Sequence, residues 1–338
     1  MKPSRDNPFP PDRTPSASQR FRRALLPAAE VVALWLPSRL VPRLSRRAER
    51  RLALALGAAM ARVPSPARRV ARANLDVVYG ATKTPREKRA LLRASFEHAA
   101  LVLLDYFWFS RHTAERLERH CAVLDETTTR WIDGRFPGII VTAHLGNWEL
   151  GGQYIALRGR SMWSVYRQIG TRRTLEPLLK FRRATGQNVI AREGAMLGMM
   201  RALRRNSLVA MLLDQHTDPS DGGFYLDFFG LPGAFSNAAG HIAHRLEVPI
   251  CILCVAYDPV ADRYGLSSCG ELSAEAAAKL EPKAITAWIV EALQRMILDN
   301  PGQWLWMYRR WKRWPLGDDP ARFPFYALID RSVADHPQ

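Results

Sequence analysis

Apolar positions change their spacing once along this chain, near residue 120. Before that point they recur at helical intervals. The stretch from Arg50 to Arg62 is rich in helix formers, Pro64 and Pro66 interrupt it, and Ala67 to Val78 resumes it. Thr84-Pro85-Arg86-Glu87 has the make-up of a helix start: a capping Thr, Pro in the first turn, and Glu placed to cap in return. Beyond it Leu91, Leu92, Phe96, Ala99, Leu103 and Leu104 keep helical spacing, which predicts core-facing amphipathic helices. After residue 120, short apolar or β-rich runs alternate with helical stretches. They cover Gly138 to Ala143, Ser161 to Tyr166, Gln187 to Ile190, Ser207 to Leu213 and Val248 to Ala256. This alternation predicts an α/β fold, with a mostly parallel sheet flanked by helices and preceded by an N-terminal helical region.

The ends of the chain read differently. Met1 to Gln19 is polar and rich in Pro, Ser and Asp. Arg20-Phe-Arg-Arg then leads into an apolar run from Ala24 to Leu36, broken by Pro27 and Glu30 and closed by Pro37. That run falls short of the roughly 20 apolar residues of a transmembrane helix. As a signal peptide it lacks a small-residue cleavage site. Two readings stay open for Phe21 to Leu44: helical segments lying on a membrane face with Trp35 as an interfacial anchor, or a core-packed helix with solvated arginines. The predicted organisation is a disordered tail over 1–20, a membrane-associating helix over 21–45, a helical region over 46–120, an α/β domain over 121–315 and a C-terminal tail over 316–338.

Charge sharpens this picture. The 338 residues carry 49 Lys+Arg against 32 Asp+Glu, a formal net charge of +17. Residues 1–50 hold 11 basic and 4 acidic side chains and residues 51–100 hold 10 and 3, so +14 of the excess lies in the first hundred residues. Such a segment suits an anionic membrane face, an acidic protein or nucleic acid, and charge alone does not choose. Four cysteines in so long a chain do not make a disulfide scaffold and fit a reducing compartment.

Candidate chemistry gathers at predicted strand ends, where open α/β sheets place their ligands. In Gly138-Ile-Ile-Val-Thr-Ala-His-Leu-Gly-Asn-Trp-Glu149, an apolar strand ends at Ala143 and a helix is predicted from about Gly146. A histidine such as His144 can serve there as a general base, because the unperturbed imidazole pKa lies near neutrality. Glu149, five residues on, would sit roughly 140° around a continuous helix. It can therefore support His144 only if His144 lies in the turn and folds back. Asn147 is placed to cap the helix or to bind substrate. Arg167, after Ser164-Val-Tyr, can hold a phosphate or carboxylate bidentately, with Asp214 and Gln215 at another strand end to pair with or orient it. HExxH is absent, which argues against zinc hydrolysis.

Together these segments resemble the bacterial lipid A biosynthesis (late) acyltransferases, within the wider lysophospholipid acyltransferase group. The resemblance rests on His144 to Glu149 as an HxxxxE motif, Val165-Tyr-Arg167, Leu213-Asp-Gln215, and Phe228-Phe-Gly230 with Pro232. It extends to Arg72 to Leu75, Pro301-Gly-Gln-Trp304, Trp306 and Arg309-Arg-Trp-Lys312, and so runs from about residue 20 to 315. It implies that His144 deprotonates an acceptor hydroxyl with support from Glu149. The hydroxyl then attacks the thioester of an acyl carrier protein or acyl-CoA, while Arg167 holds the acceptor phosphate or stabilises charge. Substrate-binding roles are expected for Arg167, Asp214, Gln215 and Asn147, with no metal and no cofactor. The expected acceptor is a lipid A precursor or similar phosphorylated glycolipid at the cytoplasmic face of the inner membrane, with anionic membrane lipid as a further partner. A lysophospholipid or mannoside glycolipid is the same-class alternative, and a basic nucleic-acid-binding protein the alternative from another class. Trp304, Trp306, Trp311 and Trp314, interleaved with Arg309, Arg310, Lys312 and Arg313, suit either nucleic-acid stacking or a membrane interface, and the resemblance favours the membrane. Cys251 and Cys254 lie in an apolar strand and read as buried small hydrophobes rather than ligands.

Overall fold

In the computed structural model, residues 35–166, 172–192 and 194–330 are described; the predicted tail over 1–20, most of the 21–45 segment and Arg167 lie outside them. A short helix over residues 35–40 (α1) leads into α2 (Arg46–Arg62), α3 (Pro66–Tyr79) and α4 (Pro85–Trp108). Thr84 and Glu87 close the reciprocal capping box at the start of α4. Then come α5 (Thr113–His120), β1 (Cys121–Val123), α6 (Glu126–Asp133), β2 (Gly138–Thr142), α7 (Trp148–Leu157), β3 (Met162–Tyr166), α8 (Arg172–Arg183) and β4 (Asn188–Ala191). The chain continues through α9 (Ala195–Leu203), β5 (Leu208–Leu212), β6 (Gly223–Phe228), β7 (Leu231–Ser236), α10 (Ala238–Leu246), β8 (Ile250–Asp258) and β9 (Arg263–Leu272). It ends with α11 (Ala274–Lys279), α12 (Pro282–Asp299), β10 (Arg313–Trp314) and β11 (Leu328–Ile329).

Seven strands form one sheet in the order β1-β9-β8-β2-β5-β3-β4. β8, β2, β5, β3 and β4 run parallel, whereas β9 turns back antiparallel to β8 and carries β1 beside it. The five strands expected from the pattern are the parallel ones, because buried parallel strands read as unbroken apolar runs. β9 escaped notice because Arg263-Tyr-Gly-Leu-Ser-Ser-Cys-Gly-Glu-Leu272 is half polar.

Alternation within strands builds a core on each face of the sheet. Ile139, Val141, Val209, Met211, Ile250 and Ile252 pack on one side with α3, α9, α10 and α12. Ile140, Leu208, Ala210, Cys251 and Leu253 pack on the other with α4, α5 and α7. Both cores draw on residues before and after 120, so the N-terminal helices share the sheet's interior. Two expectations change here. Residues 323–330 pack rather than trail: β11 pairs with β10, and Phe323, Tyr326 and Asp330 are buried. Trp304, Trp306 and Trp311 are core side chains, each at most 2% exposed, and so present no membrane-interface or base-stacking surface. The Phe228-Phe-Gly230 motif ends β6 and supplies the two-residue turn Phe229-Gly230 of the β6–β7 hairpin, with φ of 57° at Phe229 and 79° at Gly230.

Candidate active site

Strand register creates the central pair. β2 and β5 are parallel neighbours with Thr142 opposite Leu212, so two residues further along each chain His144 faces Asp214. His144 Nδ1 lies 2.8 Å from Asp214 Oδ1, and the His144 backbone N–H donates to Asp214 Oδ2 at 3.0 Å. The Trp304 indole N–H donates to the same Oδ2 at 2.9 Å. Asp214 is buried, which works against its charge. The facing imidazole and these hydrogen bonds outweigh that penalty and hold the carboxyl below its usual range. An ionised carboxylate at Nδ1 fixes the tautomer: Nδ1 carries the proton and Nε2 presents its lone pair. The Gln215 amide lies 3.2 Å from that Nε2, and the edge of Trp148 packs on the imidazole with ring centroids 4.8 Å apart.

The loop that carries His144 is tied down on both sides. Leu305 N–H donates to the His144 carbonyl and Gly146 N–H to the Gln303 carbonyl, while Asn147 N–H reaches the Val255 carbonyl in β8. Gly146 adopts a φ of 60°, and a Cβ there would stand 1.8 Å from the Val255 oxygen, so only glycine fits. Asn147 caps α7 by accepting from Leu150 N–H at 3.2 Å, and its amide donates to Asp105 at 3.2 Å. Both functional groups of this buried side chain are therefore engaged, which favours the capping reading over substrate contact.

Glu149 takes a different place from the expected one. Its carboxylate pairs with Arg182 of α8, whose Nε donates at 2.7 Å, and it accepts from the Trp148 indole at 3.2 Å. The carboxylate hydrogen-bonded to His144 is therefore that of Asp214, while Glu149 is held by Arg182. Glu149 and Arg182 line a cavity of about 30 Å³ beside the site, walled mainly by apolar residues of β2, β3 and β5 such as Ile140, Val165 and Leu212. The expected pairing of Arg167 with Asp214 lies outside the described residues.

Sequence reasoning missed three neighbours. Asn74 of α3 is buried, and its amide donates to the carbonyls of Trp306 and Tyr308, both at 2.7 Å, while its oxygen accepts from Tyr326. It locks the segment that delivers Trp304. Arg310 is fully buried, and its guanidinium nitrogens have no hydrogen-bond partner among the described residues. It lies 3.9 Å from the Phe235 ring centroid and 5.0 Å from that of Phe228. Burial, together with Arg310, Lys312 and Arg313, pushes His216 down to about 4, so the residue after the Asp-Gln pair is neutral at physiological pH. Only the run of motif residues around these positions hinted at them. Among the described residues no cluster of His, Cys, Asp or Glu is arranged to hold a metal ion.

The family model described as bacterial lipid A biosynthesis acyltransferase matches residues 22–313. A search of curated proteins finds no match.

Proposed function

Since the chain belongs to the bacterial lipid A biosynthesis acyltransferase family, we propose that it transfers a fatty acyl chain from a thioester donor to a hydroxyl of a lipid A precursor or similar phosphorylated glycolipid, with His144 as the general base. The observation that carries this reading is the 2.8 Å contact between His144 Nδ1 and Asp214, which leaves Nε2 free to accept a proton. The acceptor hydroxyl displaces the Gln215 amide from Nε2 and gives up its proton there as its oxygen bonds to the thioester carbonyl carbon. Asp214 stabilises the imidazolium that results. The tetrahedral intermediate then collapses, the C–S bond breaks, and the imidazolium proton goes to the departing thiolate. The products are an ester and a free thiol. Gln215, released from the imidazole, is placed to donate to the developing oxyanion. Arg167 is proposed to hold the acceptor phosphate.

The donor is proposed to be an acyl carrier protein or acyl-CoA, and the reaction to take place at the cytoplasmic face of the inner membrane. No helix among the described residues is long and apolar enough to cross a membrane. The basic first hundred residues would meet anionic lipid and an acidic donor protein. Purified protein incubated with acyl-thioester and a phosphorylated glycolipid should yield the acylated lipid by mass spectrometry, and His144→Ala should yield none. An acylated lysophospholipid in place of the glycolipid would move the assignment to the same-class alternative. Equal product from His144→Ala would remove the proposed base.

A further inference from the structure

α2 packs in an unusual sense: its small residues face the protein and its large apolar ones face out. Ala53, Gly57, Ala58 and Ala61 are buried. A Cβ on Gly57 would come within 2.3 Å of the Glu97 Cα, so the backbones of α2 and α4 approach as closely as glycine allows. On the outside Leu52, Ala55, Leu56, Ala59, Met60 and Val63 are exposed. At 3.6 residues per turn these six occupy one continuous stripe roughly 140° wide. No charged residue occurs between Arg51 and Arg62. Leu103 of α4, 60% exposed, and Trp35, Leu36 and Leu40 of α1 are further exposed apolar side chains on the N-terminal helices.

Along α1, α2 and the turn between them the exposed charge has one sign. Over residues 35–63 the exposed charged side chains are Arg39, Arg43, Arg47, Arg51 and Arg62. The sole acid in that span, Glu49, is buried against Arg46. Arg47, Arg51 and Arg62 fall along one edge of the stripe. A stripe of leucine and methionine with an arginine border has the chemistry of a surface for anionic lipid. The apolar side chains enter the boundary between headgroups and acyl chains, while the guanidinium groups reach the phosphates. A protein partner would have to match a flat apolar face with an all-acidic rim.

We propose that the outward face of α2 docks on an anionic phospholipid bilayer. The inference deepens the acyltransferase reading by naming the surface on which the lipid acceptor is met, and its binding arm needs no catalysis. The full chain is sedimented with phosphatidylglycerol-containing vesicles and with phosphatidylcholine vesicles, at low and high salt. Expected is binding to the anionic vesicles that salt weakens, with a loss of about tenfold or more in the Leu52→Ser/Leu56→Ser/Met60→Ser variant and a smaller loss in Arg47→Gln/Arg51→Gln. Circular dichroism melting shows that each variant is folded, and acyl transfer to detergent-dispersed acceptor should stay at the wild-type rate. Unchanged vesicle binding by the folded triple variant would overturn the proposal. So would a wild-type protein that ignores vesicles but self-associates, or binds an acyl carrier protein, through this face. Loss of acyl transfer in detergent by the wild type would instead count against the acyltransferase reading and leave the docking result standing.

Discussion

At the residue scale, the two nitrogens of His144 have separate neighbours, and this separation defines the site. Nδ1 meets a buried carboxylate and Nε2 meets the Gln215 amide, which the proposed acceptor hydroxyl would replace. Glu149 is held by a buried guanidinium instead, so the two carboxylates should differ when altered. Glu149→Ala strands Arg182 without its counter-charge in a largely buried position, which costs about 3 kcal/mol. Activity and stability should therefore fall together, and Glu149→Ala/Arg182→Met should recover much of the stability by removing the stranded charge. Chemical denaturation of the three proteins checks this. A single variant as stable as wild type would show that the pair does not support the fold.

At the scale of elements, a buried ionic cluster joins the N-terminal helices to the sheet. Arg46 of α2 pairs with Glu49, with Asp105 of α4 and with Asp262 of the β8–β9 turn. Its guanidinium lies 5.2 Å from the Trp108 ring centroid and 5.7 Å from that of Tyr257. Asp105 also accepts from Tyr264 and from the Asn147 amide, so the cluster reaches the cap of the helix that follows His144. Burial, with Asp105 nearby, pushes the Glu49 carboxyl up to about 8 against the opposing pull of Arg46. Arg46→Met should destabilise by about 3–5 kcal/mol, because it leaves acidic groups buried without their cation. A lower denaturation midpoint checks it, and an unchanged midpoint would mean that the cluster contributes nothing. The sequence made the parallel strands and the α4 start visible, since apolar runs and capping residues are local signals. His144 and Asp214 were legible as strand-end residues, but their pairing depends on β2 and β5 being adjacent and in register. Arg46, Asp105 and Tyr264 lie far apart in the chain, and no local pattern links them. Residues 301–330 were harder to read: Trp304, Trp306 and Trp311 alternate with basic residues as an exposed surface would, yet all three are buried, and Phe323, Tyr326 and Asp330 of the expected tail are buried too.

For the whole molecule, buried histidines set the response to acid. Burial lowers His98, His120 and His216 below the ordinary imidazole range. The unfolded chain therefore binds their protons more readily than the fold does. Their contribution is intact above about pH 6.5 and is lost as pH falls toward 4. Denaturation at pH 7.5 and pH 5 should differ by on the order of 1 kcal/mol, after allowance for solvent screening at half-buried His120 and His216. Equal stability at the two values would contradict this. Above that window the fold holds one apparatus: α4 and the 301–311 segment fix the loop after β2, and Asp214 after β5 completes it. The direct test is the turnover of Asp214→Asn in acyl transfer. The variant is expected to fold and to have a kcat lower by about 10²–10⁴ with acceptor KM little changed, since an amide neither fixes the tautomer nor stabilises the imidazolium. A kcat within twofold of wild type would contradict the assignment of His144 and Asp214 as the working pair.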